Sequence, residues 1–395
     1  MNSNLQELLE NGFIILRNVI APNDLESLRK KFETLVHRQR KIWHEEHIDT
    51  WETGAQPRLS NYERLIDEDT AATVEMWQQE NTLGVAHQLL SVPDHTSVSS
   101  MMLMCSPQQD HGPAAWHRDI HPLDMAPMAV LQRDLLENGP KYIQWNVPLY
   151  DDIVFWAVPG SHRRLNTYEE NRQLEENPRV PMPGGVPIEL NAGDGVVYVN
   201  YLLHWGSNYS TTLRRTIHGG HSIFPCYSET EFMRHVSANS RAEFQSWNQL
   251  SHLKQNLTEQ ALRSVINKDS DSFWEAIRGL QPGSGDKGMT VLLIYLSKAA
   301  YHILVHKQSR NSDFPRWAAD NQHPISINWG PQFSERFTAT DAEKLWGNFS
   351  MVDRYLRSES EQFAPGYQNR DPMFYYFEDI APNFGVEEFV NSWTD

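Results

Sequence analysis

A histidine and an aspartate two residues apart are the first candidates for chemistry in this chain. His117 and Asp119 lie in the segment Trp-His-Arg-Asp-Ile-His-Pro at residues 116–122. In an extended backbone, residues two apart point to the same side. The imidazole and the carboxylate can therefore converge on one ion, and they supply two of the three protein ligands of an open metal site.

A third ligand is available downstream. His204 opens a polar turn, and two arginines, Arg214 and Arg215, follow about ten residues later. Two histidines and one carboxylate on one face of a metal form the facial triad of non-heme Fe(II) oxygenases. A single histidine is more often an ordinary hydrogen-bonded residue, so this prediction depends on the whole set of motifs.

These segments and their neighbours resemble the phytanoyl-CoA dioxygenase family of Fe(II)/2-oxoglutarate-dependent oxygenases. The matching motifs stand in the family's order and at roughly its spacing, at residues 8–20, 116–119, 158–163, 193–197 and 204–215. The resemblance extends from about residue 5 to residue 225. It leaves the remainder of the chain unexplained.

The resemblance implies a fold, a set of cofactors and a reaction class. The expected fold is a mainly β core with helices: a double-stranded β-helix, or cupin-like jelly-roll barrel, with supporting N-terminal helices and a helical C-terminal extension. The expected cofactors are Fe(II), 2-oxoglutarate and O2, with His117, Asp119 and His204 as the metal ligands. The expected reaction is hydroxylation of an unactivated carbon of a small molecule, with release of succinate and CO2.

The carboxylate at position 119 bears on the reaction outcome. In the halogenating relatives a small residue replaces it and halide takes its place, so Asp119 favours hydroxylation or another oxidation. Desaturation, cyclisation or demethylation by the same cofactors remain alternatives. A cupin-like protein that binds a metal or a ligand without turnover is an alternative of another class.

The distal carboxylate of 2-oxoglutarate needs a buried cation, and arginine offers a planar, permanently charged fork for it. Counted from Asn208 the family's arginine falls on Arg214, whereas counted from His204 it falls nearer Arg215. Neighbouring residues of a strand face opposite sides. We predict that Arg214 faces the barrel and that Arg215 points outward. Trp145 aligns with a strand that lines the co-substrate pocket in the family, and core packing is the equal alternative.

Composition sets wider limits on partners and location. The chain has 395 residues, 39% of them hydrophobic, and a formal charge of −17, which disfavours nucleic acid and anionic membrane surfaces. Its two cysteines, Cys105 and Cys226, argue against a disulfide framework. The N-terminus lacks the pattern of a signal peptide. We therefore predict a cytoplasmic protein with a small-molecule substrate.

The pattern of apolar residues predicts the elements that position these side chains. Helical spacing begins at Pro22 and continues past His37, whereas residues 97–225 alternate short apolar runs with Gly and Pro turns, as in an antiparallel barrel. Residues 165–187 are polar and proline-rich, which indicates a long excursion between strands that could serve as a lid. Residue 162, a histidine after a Pro-Gly turn, is predicted to be a surface or turn residue.

The predicted secondary structure changes after residue 225, from short strands to helices. Helices are predicted over residues 229–267, 269–279 and 289–307, and the apolar run 289–305 is too polar at its centre for a membrane span. We therefore divide the chain into a jelly-roll domain at residues 1–228 and a mostly helical extension at residues 229–395. The extension is expected to cover the barrel, help close the active site or form a homodimer interface.

Overall fold

The computed structural model describes residues 3–119, 126, 128–224, 231–308, 330–357 and 384–394. Its strands are β1 (Phe13–Leu16), β2 (Arg58–Ser60), β3 (Ser97–Cys105), β4 (Tyr142–Pro148), β5 (Phe155–Ala157), β6 (Val186–Pro187), β7 (Gly195–Tyr198), β8 (His204–Gly206) and β9 (Arg215–Ser222). The α-helices of the N-terminal half are α1 (Ser3–Asn11), α2 (Pro22–Glu45), α3 (Thr50–Thr53), α4 (Ala72–Glu75), α5 (Val85–Leu89), α6 (Met128–Asn138) and α7 (Tyr168–Glu176). Those that follow are α8 (Ala238–Asn267), α9 (Ser270–Leu280), α10 (Asp286–Gln308), α11 (Gly330–Ser334), α12 (Ala339–Arg357) and α13 (Val386–Thr394).

The strands form two antiparallel sheets. The large sheet has the order β1-β7-β4-β9-β3-β2, and the small sheet has the order β6-β5-β8. The small sheet is extended by an antiparallel bridge between His117 and His204. Side chains of both sheets line one pocket, since Asn146 and His218 of the large sheet face Phe155 and His204 of the small one. This is the predicted cupin-like jelly-roll.

The N-terminal helices support the large sheet, as predicted. One stripe of α2, comprising Leu28, Phe32 and Leu35, is buried in the barrel core. The helix reaches Glu45, because apolar residues continue at helical spacing as far as Trp43, which is buried as well.

A close approach between the first turn and a later loop corrects one prediction. Gly12, with φ +85°, links α1 to β1, and a Cβ added there would lie 2.5 Å from Nδ1 of His162. The imidazole of His162 is fully buried, and its Nε2 lies 3.0 Å from the backbone oxygen of Leu9. His162 lies in the short 3-10 turn Ser161–Arg163, which agrees with the predicted turn, but it is a buried packing residue between the two segments and does not lie on the surface.

The long excursion at residues 165–187, between β5 and β7, packs against the segment that carries His117. It contains α7, which begins with a capping box between Thr167 and Glu170. Trp116 stacks on Trp205 with 5.2 Å between ring centroids, and its indole nitrogen donates to the oxygen of Val180 at 2.8 Å. The excursion is thus anchored next to the segment that carries His117.

The C-terminal helices build a second hydrophobic core. The start of α8 still belongs to the barrel core, through Phe244 and Trp247, but its later turns pack with α9 and α10. Helix α6, which lies between β3 and β4, contributes Val130 and Leu131 to this second core. By length and composition α10 could cross a membrane, but 88% of its apolar stretch is buried in the protein.

The packing of α8 predicts what truncation would do. Removal of residues 229–395 would expose the barrel surface that Phe232, Phe244 and Trp247 cover, together with the apolar face of α6. Large exposed apolar patches promote association. We expect a chain ending at Ser228 to be insoluble or aggregated, as measured by size-exclusion chromatography. A soluble, monomeric and active truncation would contradict this expectation.

Candidate metal centre

Three side chains from two segments converge at the centre of the barrel. Nε2 of His117 lies 3.5 Å from Oδ1 of Asp119, and Nε2 of His204 lies 3.4 Å from Oδ2. One ligand atom of each residue lies within 4.8 Å of one ligand atom of the other two. The backbones of the two histidines are joined by reciprocal hydrogen bonds of 3.0 and 2.9 Å. The arrangement could hold one metal ion on one face.

The hydrogen bonds of both histidines leave the correct nitrogen available to a metal. Nδ1 of His117 lies 2.9 Å from the oxygen of Ala115, and Nδ1 of His204 lies 2.8 Å from the oxygen of Leu202. A carbonyl can only accept, so each Nδ1 carries the proton and each Nε2 keeps its lone pair. Backbone partners of this kind fix both the tautomer and the ring orientation of metal-binding histidines.

Arg118, between the two candidate ligands His117 and Asp119, holds the segment in place. Arg118 is fully buried and points away from its neighbours, as alternation in an extended segment requires. Its guanidinium donates to the backbone oxygens of Ser161 at 2.9 Å and Tyr201 at 2.5 Å, and to the side chain of Asn166. These bonds tie the His117 segment to the loops on either side of it.

The charges of the triad suit metal binding. Burial lowers the pKa of His117 to about 4, so the imidazole is neutral at pH 7. Burial alone would raise the pKa of Asp119, but its polar neighbours His204, His117 and Gln144 lower it overall. A neutral imidazole and an ionised carboxylate are the states in which these two residue types bind a divalent cation.

Alternation along β4 decides which side chains face the triad. Nε2 of Gln144 donates to Oδ2 of Asp119 at 3.0 Å, and Asn146 lies in the pocket wall, where its Oδ1 is 2.8 Å from Nδ1 of His218. Trp145, between them, points to the opposite face. It is fully buried in the barrel core and lies edge-on to His221. Of the two alternatives for Trp145, these contacts favour core packing over the co-substrate pocket.

The same alternation along β9 separates the two arginines. Arg214 lines the pocket of the triad, on the same face as Thr216 and His218. Its Nε donates to Oδ2 of Asp152 at 2.6 Å, and its Nη1 is a buried donor without a hydrogen-bond partner in the described structure. A carboxylate entering the pocket could satisfy that nitrogen, since arginine binds carboxylates through paired N–H groups.

Arg215 points out of the barrel, away from the pocket, but the face of the sheet on which it lies is covered. Its side chain is 8% exposed and lies beneath α2, where Nε is 2.7 Å from Oε1 of Glu33. Its guanidinium also lies over the ring of Trp51. The supporting helix covers this face of the sheet, so Arg215 is part of the packing between α2 and the barrel.

Several pocket residues were not anticipated from the sequence. Besides the triad and Arg214, the described lining includes Gln56, Arg58, Met104, Asn146, Val154, Phe155, Tyr198, Trp205, Gly206, Tyr209 and His218. The one available signal lay in β4, where polar Gln144 and Asn146 alternate with the apolar residues Ile143, Trp145 and Val147. That period of two predicts that the polar residues share a face.

Comparison with solved structures finds similar chains. The chain is similar to AviO1 from Streptomyces viridochromogenes Tue57, with 20% identity, coverage of 56% of this chain and 93% of that chain, and a TM-score of 0.38. It is also similar to HygX from Streptomyces hygroscopicus, crystallised with nickel and 2-oxoglutarate, with 16% identity, coverage of 56% and 87%, and a TM-score of 0.41. A third similar structure is SnoK, a non-heme alpha ketoglutarate dependent carbocyclase from nogalamycin biosynthesis. It shows 14% identity, coverage of 56% of this chain and 83% of that chain, and a TM-score of 0.38. No curated protein matches this chain.

A family model gives the assignment. The model of the phytanoyl-CoA dioxygenase (PhyH) family matches residues 8–217, which is more than half of the chain. The matched range contains the triad and Arg214 and ends within β9. The chain therefore belongs to the phytanoyl-CoA dioxygenase family, whose cofactors are Fe(II), 2-oxoglutarate and O2.

Proposed function

We propose that this protein is an Fe(II)/2-oxoglutarate-dependent dioxygenase that hydroxylates an unactivated carbon of a small molecule. The observation that carries the proposal is the pair of histidines whose Nδ1 protons are held by backbone oxygens, with both Nε2 atoms close to the Asp119 carboxylate. A non-catalytic binding protein would have no need for three protein ligands on one face with the other face open to a pocket.

Each residue has a separate task in this proposal. His117, Asp119 and His204 would hold Fe(II), and Arg214 would bind the distal carboxylate of 2-oxoglutarate with its free Nη1 while Asp152 holds its Nε. When bound, the metal and the co-substrate supply the oxidising chemistry, with release of succinate and CO2. The rings of Phe155 and Tyr198 lie beside His204 and form an aromatic wall of the pocket.

Asp119 favours hydroxylation or another oxidation over halogenation. Its carboxylate occupies the third protein ligand position, and Gln144 holds one of its oxygens in place. Desaturation, cyclisation or demethylation use the same residues and differ in how the substrate is placed. We therefore keep these outcomes as the second candidate, to be decided by product analysis.

The most informative experiment is coupled turnover. Purified protein with Fe(II), 2-oxoglutarate and O2 is screened against small-molecule candidates, and succinate is quantified together with the oxidised product. We expect substrate-dependent succinate release that requires Fe(II) and is lost in His204→Ala. Absence of succinate with every candidate would favour the non-catalytic metal- or ligand-binding alternative.

The hydrogen bond from Gln144 gives a further prediction. Gln144→Leu removes the donor to Oδ2 of Asp119 while retaining the side-chain volume. Loss of a residue that orients a metal ligand typically costs about 10- to 100-fold in metal affinity or activity. We expect a loss in that range for Fe(II) affinity, measured by anaerobic titration, and a smaller loss for Gln144→Asn. Equal affinity of wild type and Gln144→Leu would remove Gln144 from the site.

A further inference from the structure

Tryptophan side chains cross the small sheet directly behind the two candidate histidine ligands. Trp116 and Trp205 are the chain neighbours of His117 and His204, whose backbones pair in an antiparallel bridge. Trp156 of β5 pairs in turn with Trp205 of β8. Adjacent residues of an extended backbone project from opposite faces. Trp116, Trp205 and Trp156 therefore form a row, here called the tryptophan row, on the face opposite the imidazoles.

The rings of the tryptophan row are in contact at each step. Trp116 stacks on Trp205, with 5.2 Å between ring centroids and 16° between ring planes. Trp205 meets Trp156 edge-on, with 5.6 Å between centroids. Trp116 and Trp205 are 1% and 3% exposed, whereas Trp156 is only half-buried. The row thus leads from the chain neighbours of the ligands to the solvent.

The hydrogen bonds of the two buried rings suit reversible oxidation. The indole nitrogen of Trp116 donates to the oxygen of Val180 at 2.8 Å, and that of Trp205 donates to the oxygen of Ala114 at 2.7 Å. A backbone carbonyl accepts a hydrogen bond but is not a base that takes up the proton. An indole that loses an electron there keeps its proton, so an electron that arrives from the next ring restores it. Water reaches the row at Trp156.

Oxidisable side chains also line the pocket of the triad. Met104 and Tyr198 are among them, and a thioether is readily oxidised to the sulfoxide. If 2-oxoglutarate and O2 react while no substrate is in place, succinate and CO2 leave and two oxidising equivalents remain at the metal centre. Without another source of electrons, these equivalents would oxidise the pocket itself.

We propose that the tryptophan row is a protective electron path, which carries electrons from a one-electron donor at the surface to the metal centre when no substrate is bound. Each unproductive turnover takes two electrons through the row and two protons from solvent. One oxygen atom of O2 is found in succinate, the other leaves as water, and two donor molecules are each oxidised by one electron. This inference rests on the proposed dioxygenase function and adds a second activity, the oxidation of an external donor.

The first test follows donor oxidation by the full-length holoenzyme with 2-oxoglutarate and O2, without substrate. Reduced cytochrome c is the donor, because it is too large to enter the pocket and its basic surface suits a chain with a formal charge of −17. We expect two molecules of cytochrome c to be oxidised for each succinate released. Succinate release without cytochrome c oxidation, or no succinate release, would overturn the proposal. Failure of wild type to bind 2-oxoglutarate would instead refute the dioxygenase function itself.

Substitutions assign the donor oxidation to the row. Trp156→Phe keeps an aromatic ring at the surface end but removes its readily oxidised indole, and it should lose most of the cytochrome c oxidation per succinate. Trp156→Tyr should retain part of it, because a phenol can be oxidised where water takes its proton. Trp274→Phe, on α9 outside the row, should leave the ratio unchanged. Equal ratios in wild type and Trp156→Phe would overturn the proposal.

The second test locates oxidative damage by peptide mass spectrometry after turnover without donor or substrate. Catalase is present throughout, and protein without 2-oxoglutarate is the control for adventitious oxidation. In wild type we expect oxidation at Trp156. In Trp205→Phe, with folding checked by thermal unfolding, it should shift to Met104 and Tyr198 in the pocket. A purely structural role of Trp205 would leave the position of damage unchanged. Oxidation of the pocket residues in wild type, with Trp156 unmodified, would overturn the proposal.

Discussion

His204→Ala should reduce Fe(II) affinity by well over 100-fold. A residue that only orients a ligand typically contributes about 10- to 100-fold, and this change removes one of the three proposed ligands. His204 is 5% exposed and packs against the rings of Phe155 and Tyr198. Thermal unfolding should therefore be measured beside anaerobic Fe(II) binding, so that loss of the metal site is distinguished from loss of the fold.

Matched variants show whether the effect belongs to the triad. His117→Ala and Asp119→Ala should give comparable losses of Fe(II) affinity, and His44→Ala, at an exposed position on α2, should give none. Asp119→Gly should lose hydroxylation, and added chloride is the test of whether halide can take the vacated position. Full hydroxylase activity in Asp119→Gly would contradict its assignment as a ligand.

Arg214→Ala should weaken 2-oxoglutarate binding by well over tenfold while Fe(II) binding stays nearly intact. Removing one partner of a buried, hydrogen-bonded charge pair costs about 2–5 kcal/mol, and roughly 1.4 kcal/mol corresponds to tenfold in affinity. The change also leaves the buried carboxylate of Asp152 without its ion-pair partner. Arg214→Lys is the companion variant, since it keeps a charge beside Asp152 but loses the fork.

Arg215→Ala is the matched control for Arg214→Ala. It should lower the stability of the fold and not the affinity for 2-oxoglutarate. It removes the ion pair with Glu33, a contact that lies beneath α2. We expect the free energy of unfolding to fall by about 1.5–3 kcal/mol, and 2-oxoglutarate affinity to change by less than twofold in the folded protein. A larger loss of 2-oxoglutarate affinity in Arg215→Ala than in Arg214→Ala would reverse the assignment of the two residues.

The spacing of residues in the sequence was sufficient to predict the parts of the site that depend on local backbone geometry. His117 and Asp119 are two residues apart in an extended segment, and the structure places their side chains together. The helix from Pro22 and the antiparallel barrel likewise follow from apolar periodicity, and both are confirmed. The family resemblance, confirmed over residues 8–217, supplied the cofactors.

Contacts between segments that are distant in the sequence could not be predicted from sequence patterns. Trp145 was considered for the pocket because its strand lines the pocket, but the face of a single residue depends on register, and the pocket face belongs to Gln144 and Asn146. Arg215 was expected to point out of the barrel, and its burial on that side depends on where α2 lies over the sheet. The contribution of α6 to the second core is a tertiary contact of the same kind. The division at residue 228 stays a prediction.

The most direct test of the proposed site is the visible spectrum of the anaerobic protein with Fe(II) and 2-oxoglutarate. Bidentate binding of the 2-oxo acid to iron gives a weak charge-transfer band. We expect the band in wild type when both components are present, its loss in His204→Ala, and its recovery in Arg214→Ala at more than tenfold higher 2-oxoglutarate. Absence of the band in folded wild-type protein, or an unchanged band in His204→Ala, would contradict the site described above.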